Sequence, residues 1–286
     1  MSKLVIGTAQ FGLDYGITNH DGQVPINEVK KILNFAKKNN INTLDTASNY
    51  GNSEDVLGKI CVGDYHIITK TTSLKNGANE VIKNFHHSLK KIKKTKVKGL
   101  LVHNIEEVKD SQFSVVFKQL NELKRQGLVE KIGFSTYTPK QIDFLLNNFD
   151  FDLVQLPFNV FDNRLIQGGQ LKALKKKKIE IHARSIFLQG LLLMPLNSVP
   201  NYFIPIINTL KSFNETARRL SMTPLDLALS YVVSIQEIDR VIVGVDAVQH
   251  IKDIINYNYK KITLKDVEHL SIENPNYLNP ALWPSW

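Results

Sequence analysis

The chain has 286 residues, 43% of them hydrophobic and 22% charged, enough for one large α/β domain, and no Pro/Gly/Ser-rich linker divides it. Its formal charge is +9, but the runs Lys90-Lys91-Ile92-Lys93-Lys94-Thr95-Lys96 and Lys175-Lys176-Lys177-Lys178 each close a predicted helix, where cations suit the negative end of the dipole, and no aromatics interleave them for base stacking. No nucleic-acid partner is therefore expected; nor is a membrane, which needs about 20 consecutive apolar residues per span, or a disulfide framework, since Cys61 is alone and reads as a packed thiol in a reducing compartment.

The N-terminus, Met1-Ser2-Lys3-Leu4-Val5-Ile6-Gly7, runs straight into an apolar strand predicted over 4–8 and lacks the apolar core of a signal peptide, so a cytoplasmic protein is expected. The turn after it, Gly7-Thr8-Ala9-Gln10-Phe11-Gly12, lacks the Gly-x-Gly-x-x-Gly spacing of a doubly wound nucleotide fold. A helix follows over 26–38, and then a short strand, 43–45, stops at Asp45. A polar loop presents Tyr50, and Ser53 is placed to N-cap a helix beginning near Glu54. The strand over 66–70 ends at Lys70, a helix covers 78–91, and the strand over 99–102 runs into His103. A helix over 112–126, a strand over 131–134 and a helix over 139–147 continue the alternation. Strands over 153–156, 180–184 and 240–243 bring the number to eight.

Eight strands alternating with helices predict an α/β fold of the (β/α)8 TIM-barrel type, one domain over 1–286 with a C-terminal tail from about 262 to 286. In a closed parallel barrel the carboxyl ends of the strands converge on one face. Asp45, Tyr50, Lys70 and His103 would then share one pocket, in an order that suits proton-coupled hydride chemistry. No His/Cys/Asp/Glu group has metal-ligand spacing, and neither a metal nor a flavin is expected.

The block Asp45-Thr46-Ala47-Ser48-Asn49-Tyr50-Gly51, followed by Ser53-Glu54 and Leu57-Gly58, then Ile68-Thr69-Lys70 and Leu101-Val102-His103, resembles the aldo-keto reductase superfamily. Later segments are similar too: Gly127-Leu128-Val129-Glu130-Lys131-Ile132-Gly133-Phe134-Ser135, Val154-Gln155-Leu156-Pro157-Phe158-Asn159, and Arg184-Ser185 with Leu188-Gln189-Gly190-Leu191-Leu192. The resemblance implies an NAD(P)H-dependent oxidoreductase that reduces a small-molecule carbonyl to an alcohol. Tyr50 would donate the proton, Lys70 would lower the phenol pKa, Asp45 would fix Lys70, and His103 would orient the carbonyl oxygen.

The resemblance also implies a cofactor site. Ser135 and Gln155 would bind the nicotinamide carboxamide, and Arg184 stands where many members stack a tyrosine. Ser185, Leu188 and Gly190 would lie along the pyrophosphate, with Thr8, Gly244, His250 and Asp253 completing the site. Thr136 replaces the usual asparagine after Ser135. Gly244, Val245 and His250 stand where the usual 2′-phosphate clamp would be; Asp246 would repel that phosphate if it faced the ribose, while Lys252 or His250 could partly replace the clamp, so NADP(H) is favoured on family prevalence while NAD(H) stays open.

Two other readings compete. Lys70 could form a Schiff base in a lyase, with Asp45 and Tyr50 carrying protons, although a carboxylate partner would raise its pKa and weaken the amine as a nucleophile. Alternatively, the chain could be a cofactor-binding regulatory subunit with slow turnover. For the substrate pocket, Phe11, Tyr15, Tyr137, Phe158 and Phe161 follow strand ends, about half of them expected to be ordinary packing. Trp283 and Trp286 are expected either to cap the pocket or to pack on the barrel wall. His20, His86 and His87 are expected to be solvated. The short loop after His103 implies an open pocket suited to a bulky or polar carbonyl compound such as a sugar derivative. Oligomeric state is not legible in the sequence.

Overall fold

The computed structural model describes residues 3–284. Eight parallel strands, β1 (Leu4–Gly7), β2 (Thr43–Asp45), β3 (His66–Lys70), β4 (Val97–Val102), β5 (Val129–Ser135), β6 (Leu153–Pro157), β7 (Glu180–Arg184) and β8 (Arg240–Gly244), pair in chain order and close into a barrel. Closure runs from Leu4 opposite Val241 to Gly7 opposite Gly244. The (β/α)8 architecture is therefore the one expected from the alternating pattern, with strand ends displaced by at most two residues.

Helices α1 (Ile26–Lys38), α2 (Ser53–Ile60), α3 (Ala78–Ile92), α4 (Phe113–Arg125) and α5 (Pro139–Asn148) follow the first five strands. The short pair α6 (Arg164–Gln167) and α7 (Gln170–Lys176) follows β6, α8 (Ile207–Arg219) and α9 (Pro224–Ser234) follow β7, and α10 (Val248–Ile255) follows β8. In α1 the buried residues are Val29, Ile32, Leu33 and Ala36, the spacing that turns one apolar stripe toward the sheet. The lysine runs lie at the C-terminal ends of α3 and α7, the negative ends of the helix dipoles.

Because strand side chains alternate, each catalytic candidate shares its face with the residue two places earlier. Below Lys70, His103 and Gln155 sit Ile68, Leu101 and Leu153, which form their own buried cluster inside the barrel. Gly133 keeps this layer narrow: a Cβ there would lie 1.7 Å from the Leu153 carbonyl oxygen. Lower still, Glu180 bonds both Lys131 and the buried His182. Burial pushes the Glu180 carboxyl up, but His182 and Lys131 outweigh it and hold the group at about 2.

Two local expectations are corrected. Ser53 is the first residue of α2, not its N-cap; Asn52 occupies the cap, and the Ser53 hydroxyl lies 2.9 Å from the Thr8 carbonyl oxygen and 2.8 Å from Thr8 Oγ1. Cys61 is exposed rather than packed, at the left-handed C-cap of α2.

Helix α2 meets α3 through Gly58, where a Cβ would fall 1.8 Å from the Lys91 carbonyl oxygen. Gly58→Ala should therefore destabilise the fold by about 1–3 kcal/mol, as overpacking does. Urea denaturation checks this: the midpoint should fall with the slope unchanged, and an unaltered midpoint would show that the two helices part freely.

The tail forms short helices at Leu264–Val267 and Pro275–Leu278 and is tied to the barrel by Ile272, whose N–H donates to the Phe161 carbonyl. Trp283 packs edge-on against Phe203, with ring centroids 4.8 Å apart, and Trp286 lies outside the described residues. No helix among the described residues is long and apolar enough to cross a membrane.

Candidate active site

A cavity of about 810 Å³ opens at the carboxyl ends of the strands. Asp45, Tyr50, Lys70 and His103 all line it, delivered by β2, the loop before α2, β3 and β4. Lys70 is buried, and its Nζ donates to Asp45 Oδ1 at 2.9 Å, Asp45 Oδ2 at 2.8 Å and the Thr46 carbonyl at 2.9 Å. Three acceptors match the three N–H bonds of an ammonium. Desolvation pulls the Lys70 pKa down, yet Asp45 and Tyr50 together leave it raised. An ammonium so held has no lone pair to offer a carbonyl carbon, which weakens the Schiff-base reading.

Lys70 Nζ stands 5.0 Å from the Tyr50 ring centroid. The sequence led to the expectation that this charge lowers the phenol pKa. Lys70 does act in that direction, but burial acts more strongly and the net shift is upward, so Tyr50 carries its proton at neutral pH. The His103 ring meets Tyr50 edge-on, with centroids 6.0 Å apart. Burial, reinforced by Lys70, pushes the imidazole down to about 4, so His103 is neutral at physiological pH. Its Nδ1 is buried with no protein partner.

The opposite wall is set by Gln155, whose Nε2 donates to Asp45 Oδ1 at 2.7 Å. Because a carboxylate accepts only, that bond fixes the amide orientation, and Gln155 Oε1 is left buried and unpartnered. Ser135 lines the cavity beside it. One acceptor and one hydroxyl at this wall are the complement of a primary carboxamide, and to that extent the residues fit a nicotinamide.

Of the remaining expected contacts, Thr8, Arg184, Ser185, Gly190, Gly244, His250 and Asp253 line the same cavity. Leu188 does not; its side chain is fully buried. The loop from Ser185 to Gly190 holds Ser185, Leu188, Gln189 and Gly190 at positive φ, from 48° to 95°. A Cβ on Gly190 would lie 2.3 Å from Thr18 Oγ1, and the Gly190 N–H donates to the Phe187 carbonyl. The glycine thus lets the loop pack on Thr18 in the cavity wall. Thr136 lies beneath the surface, its carbonyl accepting from Arg184.

The aromatic expectations divide. Tyr15 and Tyr137 line the cavity. Phe11, Phe158 and Phe161 are corrected to core positions with no exposed area: Phe158 stacks on Tyr231 and Phe161 meets Phe213 edge-on. His20, expected to be solvated, is exposed but stands in the cavity wall. The sequence reading missed Gln10, Leu193, Met194, Pro280 and Ala281, which also line the wall. Most of these come from segments with no motif of their own, so only the folded chain brings them here. Among the described residues, no group of three or more His, Cys, Asp or Glu side chains is gathered for a metal.

The sequence profile of the aldo/keto reductase family matches residues 3–274. The chain belongs to the aldo/keto reductase family. Among curated aldo/keto reductase relatives, it is 23% identical to D-arabinose 1-dehydrogenase of Saccharomyces cerevisiae, over 100% of this chain and 93% of that one. It is 26% identical to L-galactose dehydrogenase of Arabidopsis thaliana, over 100% of this chain and 94% of that one. The holo form of an aldo-keto reductase from Bacillus halodurans superposes with a TM-score of 0.75 at 18% identity, covering 99% of this chain and 94% of that one. As an aldo/keto reductase the chain is an oxidoreductase, and its tyrosine, lysine, aspartate and histidine stand together at the barrel mouth.

Proposed function

We propose that this protein reduces the carbonyl of a sugar derivative with NAD(P)H, using Tyr50 as the general acid. The observation that carries the reading is the shared acceptor: Asp45 Oδ1 receives both Lys70 Nζ and Gln155 Nε2. One carboxylate thereby ties the group that tunes the proton donor to the group that would orient the cofactor. When bound, the nicotinamide supplies a hydride to the carbonyl carbon. Tyr50 Oη passes its proton to the carbonyl oxygen, Lys70 offsets the charge left on the phenolate, and neutral His103 is held beside the same oxygen. Solvent then reprotonates Tyr50.

The relatives named D-arabinose 1-dehydrogenase and L-galactose dehydrogenase support a sugar substrate. A panel of aldoses and ketoses, assayed by loss of nicotinamide absorbance, tests the reading. Reduction of at least one is expected, and inertness toward the whole panel despite cofactor binding would favour the regulatory-subunit alternative.

Cofactor choice turns on the far arm of the cavity, where Asp246, His250 and Asp253 stand. Asp246 Oδ1 is buried and unpartnered, and burial pushes its carboxyl up. An acceptor of this kind suits a ribose hydroxyl, whereas a 2′-phosphate would meet the carboxylate with no lysine or arginine in that arm of the wall. Family prevalence favours NADP(H); the charges of this arm lead us to place NAD(H) first. NADH should bind at least about tenfold tighter than NADPH, the size of one good charged contact. Asp246→Ser should narrow that gap in a fluorescence titration, and tighter NADPH binding by the unaltered protein would reverse the choice.

A further inference from the structure

The first turn of α2 buries two polar side chains for which the reaction has no use, Ser53 and Glu54. Neither lines the cavity. They reach in opposite directions, to the two strands that flank β2. The Ser53 hydroxyl lies 2.9 Å from the Thr8 carbonyl oxygen and 2.8 Å from Thr8 Oγ1, just past β1, and 3.3 Å from Thr46 Oγ1, just past β2. Glu54 Oε1 accepts from Thr69 Oγ1, on β3, at 3.0 Å, and Ser88 of α3 bonds the same carboxyl. Successive side chains of a strand point to opposite faces, so Thr69 turns outward to α2 while its neighbour Lys70 turns into the barrel. Tyr50 stands in the loop that leads into this turn, and its carbonyl accepts from the Ser53 N–H at 2.9 Å. That loop is also pressed against the turn after β1. A Cβ on Gly12 would lie 2.0 Å from the Tyr50 carbonyl oxygen, and one on Gly51 would lie 2.1 Å from the Gly12 carbonyl oxygen. At the rim, Gln23 Nε2 joins the two segments, donating to the Phe11 carbonyl at 2.8 Å and to Asn52 Oδ1 at 2.7 Å.

We propose that Ser53 and Glu54, with Gln23 at the rim, are positioning residues for Tyr50: they hold the start of α2 between β1 and β3 and so fix the phenol against Lys70 and Asp45. The inference rests on the reductase reading given above, in which Tyr50 is the acid. Packing alone would be served by apolar side chains at positions 53 and 54. A buried hydroxyl and a buried carboxyl are costly unless bonded, but once bonded they set a distance and a direction. Here the directions are the useful ones. One bond ties the acid's loop to the strand beside Asp45, and the other ties it to the strand that carries Lys70, one residue from Lys70 itself. A reacting group displaced by about 1 Å loses up to about a hundredfold in rate, so a modest slackening of this turn is enough to be seen in turnover.

The test measures single turnovers with the tighter-bound of NADH and NADPH and the best-reduced sugar of the panel above. It compares the unaltered protein with Ser53→Ala, Glu54→Ala and Gln23→Ala, and each of these again in the Tyr50→Phe background. Ser53→Ala and Glu54→Ala should each lower the rate about ten- to a hundredfold, with nicotinamide binding kept within threefold. Gln23 is exposed, so Gln23→Ala keeps the fold, and it should lose about three- to tenfold. In the Tyr50→Phe background the same substitutions should cost less than threefold, because a residue that acts through the phenol has nothing left to position. An unchanged rate in Ser53→Ala and Glu54→Ala would overturn the inference. So would a loss of undiminished size in the Tyr50→Phe background, which a merely structural role would give, or a tenfold weakening of nicotinamide binding that accounts for the loss. If neither buried variant folds, Gln23→Ala decides by the same cycle. An unaltered protein that binds neither dinucleotide, or reduces no sugar of the panel, is a different failure, that of the reductase reading itself, and takes this inference with it.

Discussion

Tyr50→Phe should lower turnover about 10²- to 10⁴-fold, the usual contribution of a positioned general acid, and leave nicotinamide binding within threefold. The ring stays, so the edge contact with His103 and the cation contact with Lys70 are kept while the proton is removed. His103 cannot substitute as the proton source at neutral pH, because its imidazole, lowered to about 4, is already neutral there. This also fixes the sign of the pH dependence. Between about pH 5 and 8 the charge on His103 does not change in the folded protein, so no limb of the activity profile in that window should vanish in His103→Gln. In the unfolded chain the histidine titrates near 6.5. Its burial therefore costs stability only as the pH falls from there toward 4. Rapid-mixing single turnovers with saturating cofactor measure the loss in Tyr50→Phe, and a loss below about threefold would remove Tyr50 from the proton-transfer step.

The second large effect is on stability. Asp45→Leu leaves the Lys70 ammonium buried without its counter-charge, held by the Thr46 carbonyl and the Tyr50 hydroxyl alone, and removing one partner of such a pair costs about 3–5 kcal/mol. Lys70→Met strands the carboxylate less completely, because Gln155 still donates to Asp45, and should cost less than Asp45→Leu. The double variant, Asp45→Leu with Lys70→Met, should recover most of the stability, since an apolar pair of similar size can replace a buried ion pair at little cost. Turnover should remain lost in all three. Urea denaturation followed by circular dichroism gives the comparison. Additive losses in the double variant would mean that the two charges do not stabilise each other, and the pair could not then act as the unit described.

The barrel and its four polar strand-end residues were readable because each strand is a short apolar run that stops at a polar side chain, as in His66–Lys70. Period-two alternation then places Lys70, His103, Ser135 and Gln155 on the inner face without knowledge of the loops. What lies beyond the strand ends was harder to read. Phe11 and Tyr15 both follow β1, yet the 3-10 turn at Ala9–Phe11 drives Phe11 into the core while Tyr15 stays in the wall. The hydroxyl is the physical difference available in the sequence. A phenylalanine ring buries without loss, whereas Tyr15 and Tyr137 each carry a polar tip that must find a partner or water. Ser53 was misread for a similar reason, since a hydroxyl at a helix start can cap its own helix or reach another segment, here Thr8. Leu193, Met194, Pro280 and Ala281 reach the cavity only through packing between segments far apart in the chain.

The central claim is that the cavity between Gln155 and Tyr50 holds a nicotinamide. Titrating the purified protein with NADH and NADPH, following nicotinamide emission, tests it most directly. Saturable binding of one equivalent in the micromolar range is expected, weakened in Gln155→Ala, where the orphaned acceptor is gone. No binding of either dinucleotide at millimolar concentration, with a borohydride-trapped adduct on Lys70 instead, would contradict it.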